Sequence, residues 1–156
     1  MNSRVMVALR IAAPPMRVFE AFTSEIHLWW RPNAFFRFTP AGPGMLAIEP
    51  GQGGRFTETQ ADGTVFEIGQ VTIWEPGARL GMTWRQASFT GEQSTHVDIR
   101  FEELGTETRV TVEHHGWDAV PTAHVARHGM GNVLFLQRHG QWWRDLLTEL
   151  KAEVEA

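Results

Sequence analysis

The sequence predicts an α+β fold in which a curved antiparallel sheet of about six to seven strands wraps around a long C-terminal helix. A first strand precedes two short helical segments, a long middle region alternates with a period of two, and the last part of the chain has a helical period. Strands that follow one another through short turns form an antiparallel meander. Because no linker, repeat or low-complexity tract divides the 156 residues, we expect a single domain over residues 1–156.

The N-terminal part is predicted to form one strand and two short helices. Residues 5–12 alternate loosely without a breaker, which indicates a strand. The proline pair at 14–15 ends it, and because proline fits the first turn of a helix, helix one is predicted to run to about Phe22. Ser24 is the expected N-cap of a second short helix through Trp30.

The middle of the chain contains a run of short strands separated by turn signals. The period changes from helical to two at Phe35. Six strands are predicted, at residues 45–49, 55–60, 65–74, 80–84, 97–101 and 110–114. Asp62-Gly63 is a strong hairpin signal, and residues 51–54 predict a turn with a bulge.

The final third is predicted to be helical. Residues 121–128 favour a short helix, which Gly129 and Gly131 interrupt. From about Val133 to Val154 we expect one long amphipathic helix that faces the sheet. Its apolar face repeats at steps of three and four residues through Phe135, His139, Trp142, Leu146 and Leu150.

The composition argues against several classes of function. The net charge is −4 and the 14 basic residues are scattered, which is not typical of a nucleic-acid binder. Without cysteine there are no disulfides, thiolate nucleophiles or iron–sulfur sites. No nucleophile elbow, P-loop or dinucleotide fingerprint occurs, and no cofactor or metal site is predicted. No apolar run suits a signal peptide or a membrane span, so we expect a cytoplasmic protein.

Aromatic residues are unusually frequent, with 7 Trp and 10 Phe but no Tyr. Aromatic side chains bury large apolar areas, so this number predicts either a bulky core or an aromatic-lined pocket.

Five short segments occur in an order that is typical of one family. They are WWRP at 29–32, GGRF at 53–56, VTIWEPGARLGMTW at 71–84, FEELGTETRVTVEHHGW at 101–117, and the helix at 140–150. Together they resemble the domains similar to the activator of heat-shock-protein-90 ATPase, within the START-like (SRPBCC) superfamily. The resemblance implies a helix-grip fold, in which the curved sheet grips the last helix over a cavity.

The resemblance leaves three functions open, because fold alone does not fix function. The superfamily includes lipid and hormone binders, polyketide cyclases and aromatases, and ring-hydroxylase subunits. We expect first a protein, monomer or homodimer, that binds a small hydrophobic molecule, lipid-like or aromatic, in its cavity. The alternatives are an enzyme of the polyketide cyclase type and a co-chaperone that contacts a chaperone through an exposed apolar patch on the outer sheet face.

Eight residues on faces expected to point inward are the candidate ligand-binding residues, and none is assigned a catalytic role. They are Trp30, Phe66, Trp84, His114, Phe135, Arg138, His139 and Trp142. A histidine here would orient a ligand or carry a proton, and an arginine would clamp an anionic group. Arg55 is a further orienting candidate.

Each candidate also has a plain structural interpretation. The aromatics would be core packing, the histidines would be satisfied by the backbone, and Arg138 would lay its stem along apolar surface. His124 and His128 are four residues apart, but because no third ligand is evident, a solvated helical face is favoured over a metal site.

Overall fold

A computed structural model of the chain describes residues 4–31, 38–40, 44–90, 93–121 and 123–156. Its seven strands form one antiparallel sheet in the order β1-β7-β6-β5-β4-β3-β2. The strands are β1 (Val5–Ile11), β2 (Met45–Ile48), β3 (Arg55–Thr59), β4 (Val65–Glu75), β5 (Arg79–Trp84), β6 (Thr95–Leu104) and β7 (Glu107–His115). The helices are α1 (Pro15–Thr23), α2 (Ile26–Trp29) and α3 (Asn132–Glu155). The predicted α+β helix-grip architecture is therefore confirmed.

Alternation along the strands defines the inner face of the sheet. Leu80, Met82 and Trp84 of β5 are buried, as predicted, and so are the alternate residues of β6 and β7. The first strand joins the last, because β1 pairs with β7 from Val5 opposite His114 to Ile11 opposite Thr108. The remaining strands form a meander of sequence neighbours, as the short turns predicted.

The helix α3 closes the inner face with one buried stripe. The stripe consists of Phe135, His139, Trp142, Trp143, Leu146, Leu147 and Leu150. All five predicted positions belong to it, and the structure adds Trp143 and Leu147, so that two adjacent tryptophans are both buried. The stripe is wide because side chains one residue apart diverge by about 100° around the helix and both remain within a broad apolar face.

The structure corrects two local predictions, the position of a bulge and the N-cap of α2. Residues 51–54 form a turn, with Gly51 and Gly53 at φ of 90° and 88°. The bulge lies further on, between Phe56 and Thr57, where β3 loses register with β4. Ser24 does not cap α2 either, because its hydroxyl donates to the carbonyl of Glu20 at the end of α1.

The predicted helix at 121–128 is also wrong. The chain instead forms two 3₁₀ turns, Trp117–Ala119 and Val125–Arg127. His124 precedes the second turn and accepts from the amide of Ala126, and His128 ends it with a left-handed φ of 54°. These two histidines therefore do not share a helical face.

The alternation predicted at Phe35 and Phe36 lies outside the described residues.

No helix in the described ranges is long and apolar enough to cross a membrane.

Candidate functional site

Two histidines meet between the sheet and α3. His114 lies on the inner face of β7, where alternation places it beside Val110 and Val112, and His139 lies on the buried stripe of α3. Both side chains are fully buried, and their ring centroids are 4.8 Å apart. This contact joins the sheet to the helix through polar groups.

The hydrogen bonds of His114 determine its tautomer. The indole Nε1–H of Trp143 can only donate, and it points to Nδ1 of His114 at 3.1 Å, so this nitrogen is the acceptor. Nε2 of His139 lies 2.9 Å from the same atom and is therefore also a donor. Nε2 of His114 then carries its proton and donates to Thr95 Oγ1 at 2.7 Å.

The result is a directional chain of hydrogen bonds through the interior. His139 donates to His114, His114 donates to Thr95, and the Thr95 hydroxyl donates to the carbonyl of Trp84 at 3.0 Å. We call these four residues, together with Trp143, the histidine network. Its members come from β5, β6, β7 and α3, so only the folded chain assembles it.

Both histidines of the network are held in the neutral form. Burial, followed by the neighbouring His139, lowers the pKa of His114 well below its ordinary value. Burial, followed by the positive charges of Arg127 and His128, lowers the pKa of His139 to about 3. At neutral pH the network therefore presents uncharged donors and acceptors.

Aromatic side chains surround the network. The aromatic cluster consists of Trp30, Phe38, Phe56, Trp84, Trp142 and Trp143. Trp30 contacts the other three tryptophan rings, with ring centroids 5.8 Å from Trp84, 5.7 Å from Trp142 and 5.8 Å from Trp143. Neighbouring rings are thus in contact, and Trp30, at 8% exposure, is the member closest to solvent.

Two buried indole groups in this region lack a hydrogen-bond acceptor among the described residues. They are Nε1 of Trp84, in the aromatic cluster, and Nε1 of Trp117, whose ring packs 5.0 Å from His139. Both tryptophans are fully buried. A buried N–H without an acceptor loses about 1–3 kcal/mol of hydration, and here nothing among the described residues replaces it.

A buried arginine lies next to the second of these groups. The Arg127 guanidinium is 4.8 Å from the Phe135 ring centroid and 5.9 Å from that of Trp117. It donates to the carbonyls of Val120 and Trp117 and to the side chain of Asn132. It therefore ties the segment before α3 to the aromatic interior and adds positive charge beside His139.

The structure brings six of the eight candidate residues together. They are Trp30, Trp84, His114, Phe135, His139 and Trp142. Phe66 lies at the edge of this group, half-buried, with the Arg85 guanidinium 5.8 Å from its ring centroid.

The two candidate arginines are outside the group. Arg138 is on the exposed side of α3, and Arg55 is exposed and ion-paired with Glu49. Neither is placed to clamp a ligand inside.

Sequence reasoning missed Thr95, Trp117, Arg127 and Trp143. Adjacent residues of a helix cannot share one face fully, so the spacing that selects Trp142 leaves out Trp143, and Thr95 begins a strand whose predicted alternation starts only at Val97. Trp117 ends the family-like segment at 101–117, and this position is the signal that could have identified it. Nothing in the local pattern marks Arg127 as buried.

An open groove of about 470 Å³ lies at the sheet edge between β1 and α3, lined in part by Met6, Val133, Gly140 and Arg144. None of the eight candidate residues lines it.

The outer face of the sheet is mainly polar in the described strands. It carries Arg10, Asp98, Arg100, Glu102, Arg109 and Glu113. Several of these charges are paired, for example Arg10 with Glu107. The same face also exposes Met6 of β1, Met45 of β2 and Val65 of β4.

Comparisons with known proteins place the chain among proteins of this fold. A family model described as "Activator of Hsp90 ATPase homolog 1-like protein" matches residues 12–155. No curated protein matches the sequence significantly.

Three solved structures illustrate the range of similar proteins. A Mesorhizobium loti protein superposes with a TM-score of 0.69 at 20% identity, over 97% of this chain and 96% of that one. An HSP90 activator from Plasmodium falciparum gives 0.65 at 16% identity, over 98% and 96%. At such identities the likeness shows the fold. The anthrahydroquino-gamma-pyrone synthase Txn09 is 30% identical over 85% of this chain and 83% of that one, with a TM-score of 0.52.

Proposed function

The chain belongs to the family of activator of Hsp90 ATPase homolog 1-like proteins, and from that premise we propose that it binds a small, flat, mainly aromatic molecule between the sheet and α3. The observation that carries the proposal is the pair of buried indole N–H groups, on Trp84 and Trp117, that lack an acceptor among the described residues. A ligand oxygen that accepts from the Trp84 indole makes a hydrogen bond that the described part of the chain leaves unmade, and Trp117 offers a second such donor.

The surroundings of these groups favour an aromatic ligand. Trp84 contacts the rings of Trp30, Trp142 and Trp143, which offer both faces and edges for ring stacking. Because these rings already touch one another, the ligand displaces a side chain on entry, and the outermost ring, Trp30, is the one that moves. Apolar aromatic walls with a few polar groups are typical of small-molecule binding sites.

The chemistry of the ligand follows from the charge of the site. His114 and His139 are neutral and mutually hydrogen-bonded, so they leave the indole groups as the donors available to a guest. We therefore expect an uncharged polycyclic molecule with carbonyl or phenolic oxygens. The 30% identity with a synthase of a pyrone compound supports this chemical class.

The test is equilibrium dialysis of the purified chain against 1,8-dihydroxyanthraquinone, with anthracene as the matched hydrocarbon that lacks oxygen. We expect saturable binding of the quinone. Trp84→Phe keeps a ring but removes the donor, and should weaken quinone binding about tenfold, the value of one hydrogen bond, without a comparable change for anthracene.

Trp74→Phe is the control, because Trp74 is half-buried against Phe19 and outside the aromatic cluster. It should leave both affinities unchanged. Equal quinone affinity in wild type and Trp84→Phe, or no saturable binding of the quinone, contradicts the proposal.

An enzyme of the cyclase or synthase type is the second candidate. The directed chain from His139 through His114 to Thr95 offers a path for a proton. A carboxylate partner of His114 would favour catalysis more strongly, but the partners of His114 in the described ranges are Thr95, His139 and Trp143. For this reason binding ranks first.

Incubation of the chain with a linear polyketide thioester, followed by mass spectrometry, separates the two candidates. An enzyme releases a cyclised product, and His139→Phe, which breaks the proton path, abolishes product formation while quinone binding remains. Absence of any product in the wild type rejects the enzyme and leaves the binding proposal standing.

A further inference from the structure

A second pair of histidines lies on the outer face of the sheet, away from the histidine network. His96 of β6 and His115 of β7 are direct partners in the antiparallel register. Their rings stack with centroids 5.4 Å apart and an interplanar angle of 25°. His96 is exposed and His115 is half-buried, so ions in solvent reach both rings.

We propose that His96 and His115 form a two-histidine chelate for a divalent transition-metal ion such as Zn²⁺. Imidazole nitrogens bind Zn²⁺ at about 2.1 Å in tetrahedral geometry, which places the centroids of two rings on one ion about 5 Å apart. The observed separation of 5.4 Å is close to this value, so the spacing of the two rings already suits one ion, and rotation of the side chains directs their nitrogens to it. Imidazole is a preferred ligand of Zn²⁺, Cu²⁺ and Ni²⁺.

The backbone holds the two histidines at this separation. Residues directly opposite in an antiparallel pair have Cβ atoms about 4.5–5.5 Å apart. The β6–β7 ladder continues without a break from this pair to Leu104 opposite Glu107, so the register cannot slip locally. A metal ion therefore meets two ligands whose spacing is already fixed, which is the basis of a chelate effect.

The neighbouring glycine leaves room for the rings to turn. Gly116 follows His115 with a φ of 91°, which a larger residue rarely adopts. A Cβ at this position would lie 3.5 Å from Cδ2 of His96. The absence of a side chain here keeps the edge of the His96 ring open.

The remaining ligands of the ion come from outside the pair. Asp98 and Glu113 form the next cross-strand pair on this face, but Arg79 and Arg4 hold these carboxylates. No group of three or more potential ligands occurs in the part of the chain that the structure describes. Two coordination positions of a tetrahedral ion thus stay open to water or to an added ligand.

Isothermal titration of the chain with ZnCl₂ in a non-coordinating buffer at pH 7.5 tests the proposal. We expect one ion per chain, and His96→Asn and His115→Asn should each lower the association constant about tenfold or more. Both side chains are on the surface, so circular dichroism should show the fold retained.

His27→Asn is the control, because His27 is an exposed histidine on α2, far from the pair in sequence. It should bind Zn²⁺ as the wild type does. Zn²⁺ affinity that is unchanged in His96→Asn and His115→Asn, or no binding at millimolar Zn²⁺, overturns the proposal.

Discussion

His114 connects the other members of the histidine network through three side-chain hydrogen bonds. Its Nδ1 accepts from Trp143 and His139, and its Nε2 donates to Thr95, so both ring nitrogens are used. Buried polar groups are costly when one partner is removed, because the other partner keeps its desolvation penalty. His114 and His139 should therefore contribute differently to the free energy of unfolding, although they are hydrogen-bonded to each other.

Replacing the two histidines separately should reveal this difference. His114→Phe leaves the N–H groups of Trp143 and His139 without their acceptor, whereas His139→Phe leaves Trp143 still donating to His114. We expect His114→Phe to lower the free energy of unfolding by about 2 kcal/mol more than His139→Phe. Urea unfolding at pH 7 measures both, and equal losses would contradict the hydrogen-bond assignment.

Acid should destabilise the chain through the same residues. The pKa of His139 is about 3 in the fold and about 6.5 when unfolded, so the unfolded chain binds the extra proton between these values. Stability is therefore full above about pH 6.5 and falls as the pH decreases, by about 1.4 kcal/mol per pH unit for each such histidine.

Urea unfolding between pH 6.5 and 5 measures this slope before most carboxylates titrate. The slope in His139→Phe should be smaller than in the wild type by about 0.7 kcal/mol per pH unit near pH 6.5 and by about 1.4 near pH 5. Parallel slopes in the two proteins would show that His139 does not stay neutral in the fold.

For single residues, the sequence predicted which side chains are buried better than it predicted their hydrogen-bond partners. Strand alternation placed His114 inside, and helical spacing placed His139 on the buried face. Thr95 and Trp143 were not foreseen, because a hydrogen bond between residues on β6, β7 and α3 depends on how the elements pack. The partners are separated by 19 to 29 residues in sequence.

Among the elements, β4 and β5 leave no room for a side chain at Gly69. A Cβ on Gly69 would lie 1.8 Å from the carbonyl oxygen of Thr83, a backbone atom that cannot move aside alone. Gly69 lies next to the register shift between β3 and β4, where the sheet bends around α3. The glycine thus permits the curvature on which the inner face depends.

Gly69→Ala should therefore destabilise the fold by about 3 kcal/mol, because the added methyl forces the two strands apart. Gly131→Ala is the matched control, since nothing lies within 4 Å of a Cβ there, and it should change stability by less than about 1 kcal/mol. Thermal unfolding followed by circular dichroism compares them. Similar melting temperatures for both variants would refute the close approach.

Elements with strong periodicity were predicted well, and irregular segments were not. The long helix and the six consecutive strands follow from apolar spacing, which the core enforces directly. Residues 121–128 were predicted to form a short helix, but this segment contains a 3₁₀ turn instead. The turn arises from contacts such as those of Arg127, which no local pattern contains.

In the whole molecule, one core forms between the inner face of the sheet and the helices. Val7 of β1 illustrates this, because it is buried opposite Val112, while its neighbour Ala8 is exposed on the outer face. A single residue step therefore separates the interior from solvent.

A charge introduced at each of these positions tests the assignment of the faces. Val7→Asp buries a carboxylate without a partner and should leave the chain unfolded at 25 °C, since the penalty is several kcal/mol. Ala8→Asp should remain folded within about 1 kcal/mol of the wild type. Near-ultraviolet circular dichroism reports the native packing, and a folded Val7→Asp would be incompatible with the proposed core.

The pairing of β1 with β7 has a consequence for synthesis on the ribosome. Val5 emerges before His114, with which it pairs and which follows 109 positions later, and translation at about 5–20 residues per second delays this partner by about 5–20 seconds. During that interval the nascent chain displays an unmatched, half-apolar strand. The meander from β2 to β7 assembles from sequence neighbours as it is made, so β1, although translated before it, is among the last strands to find its place.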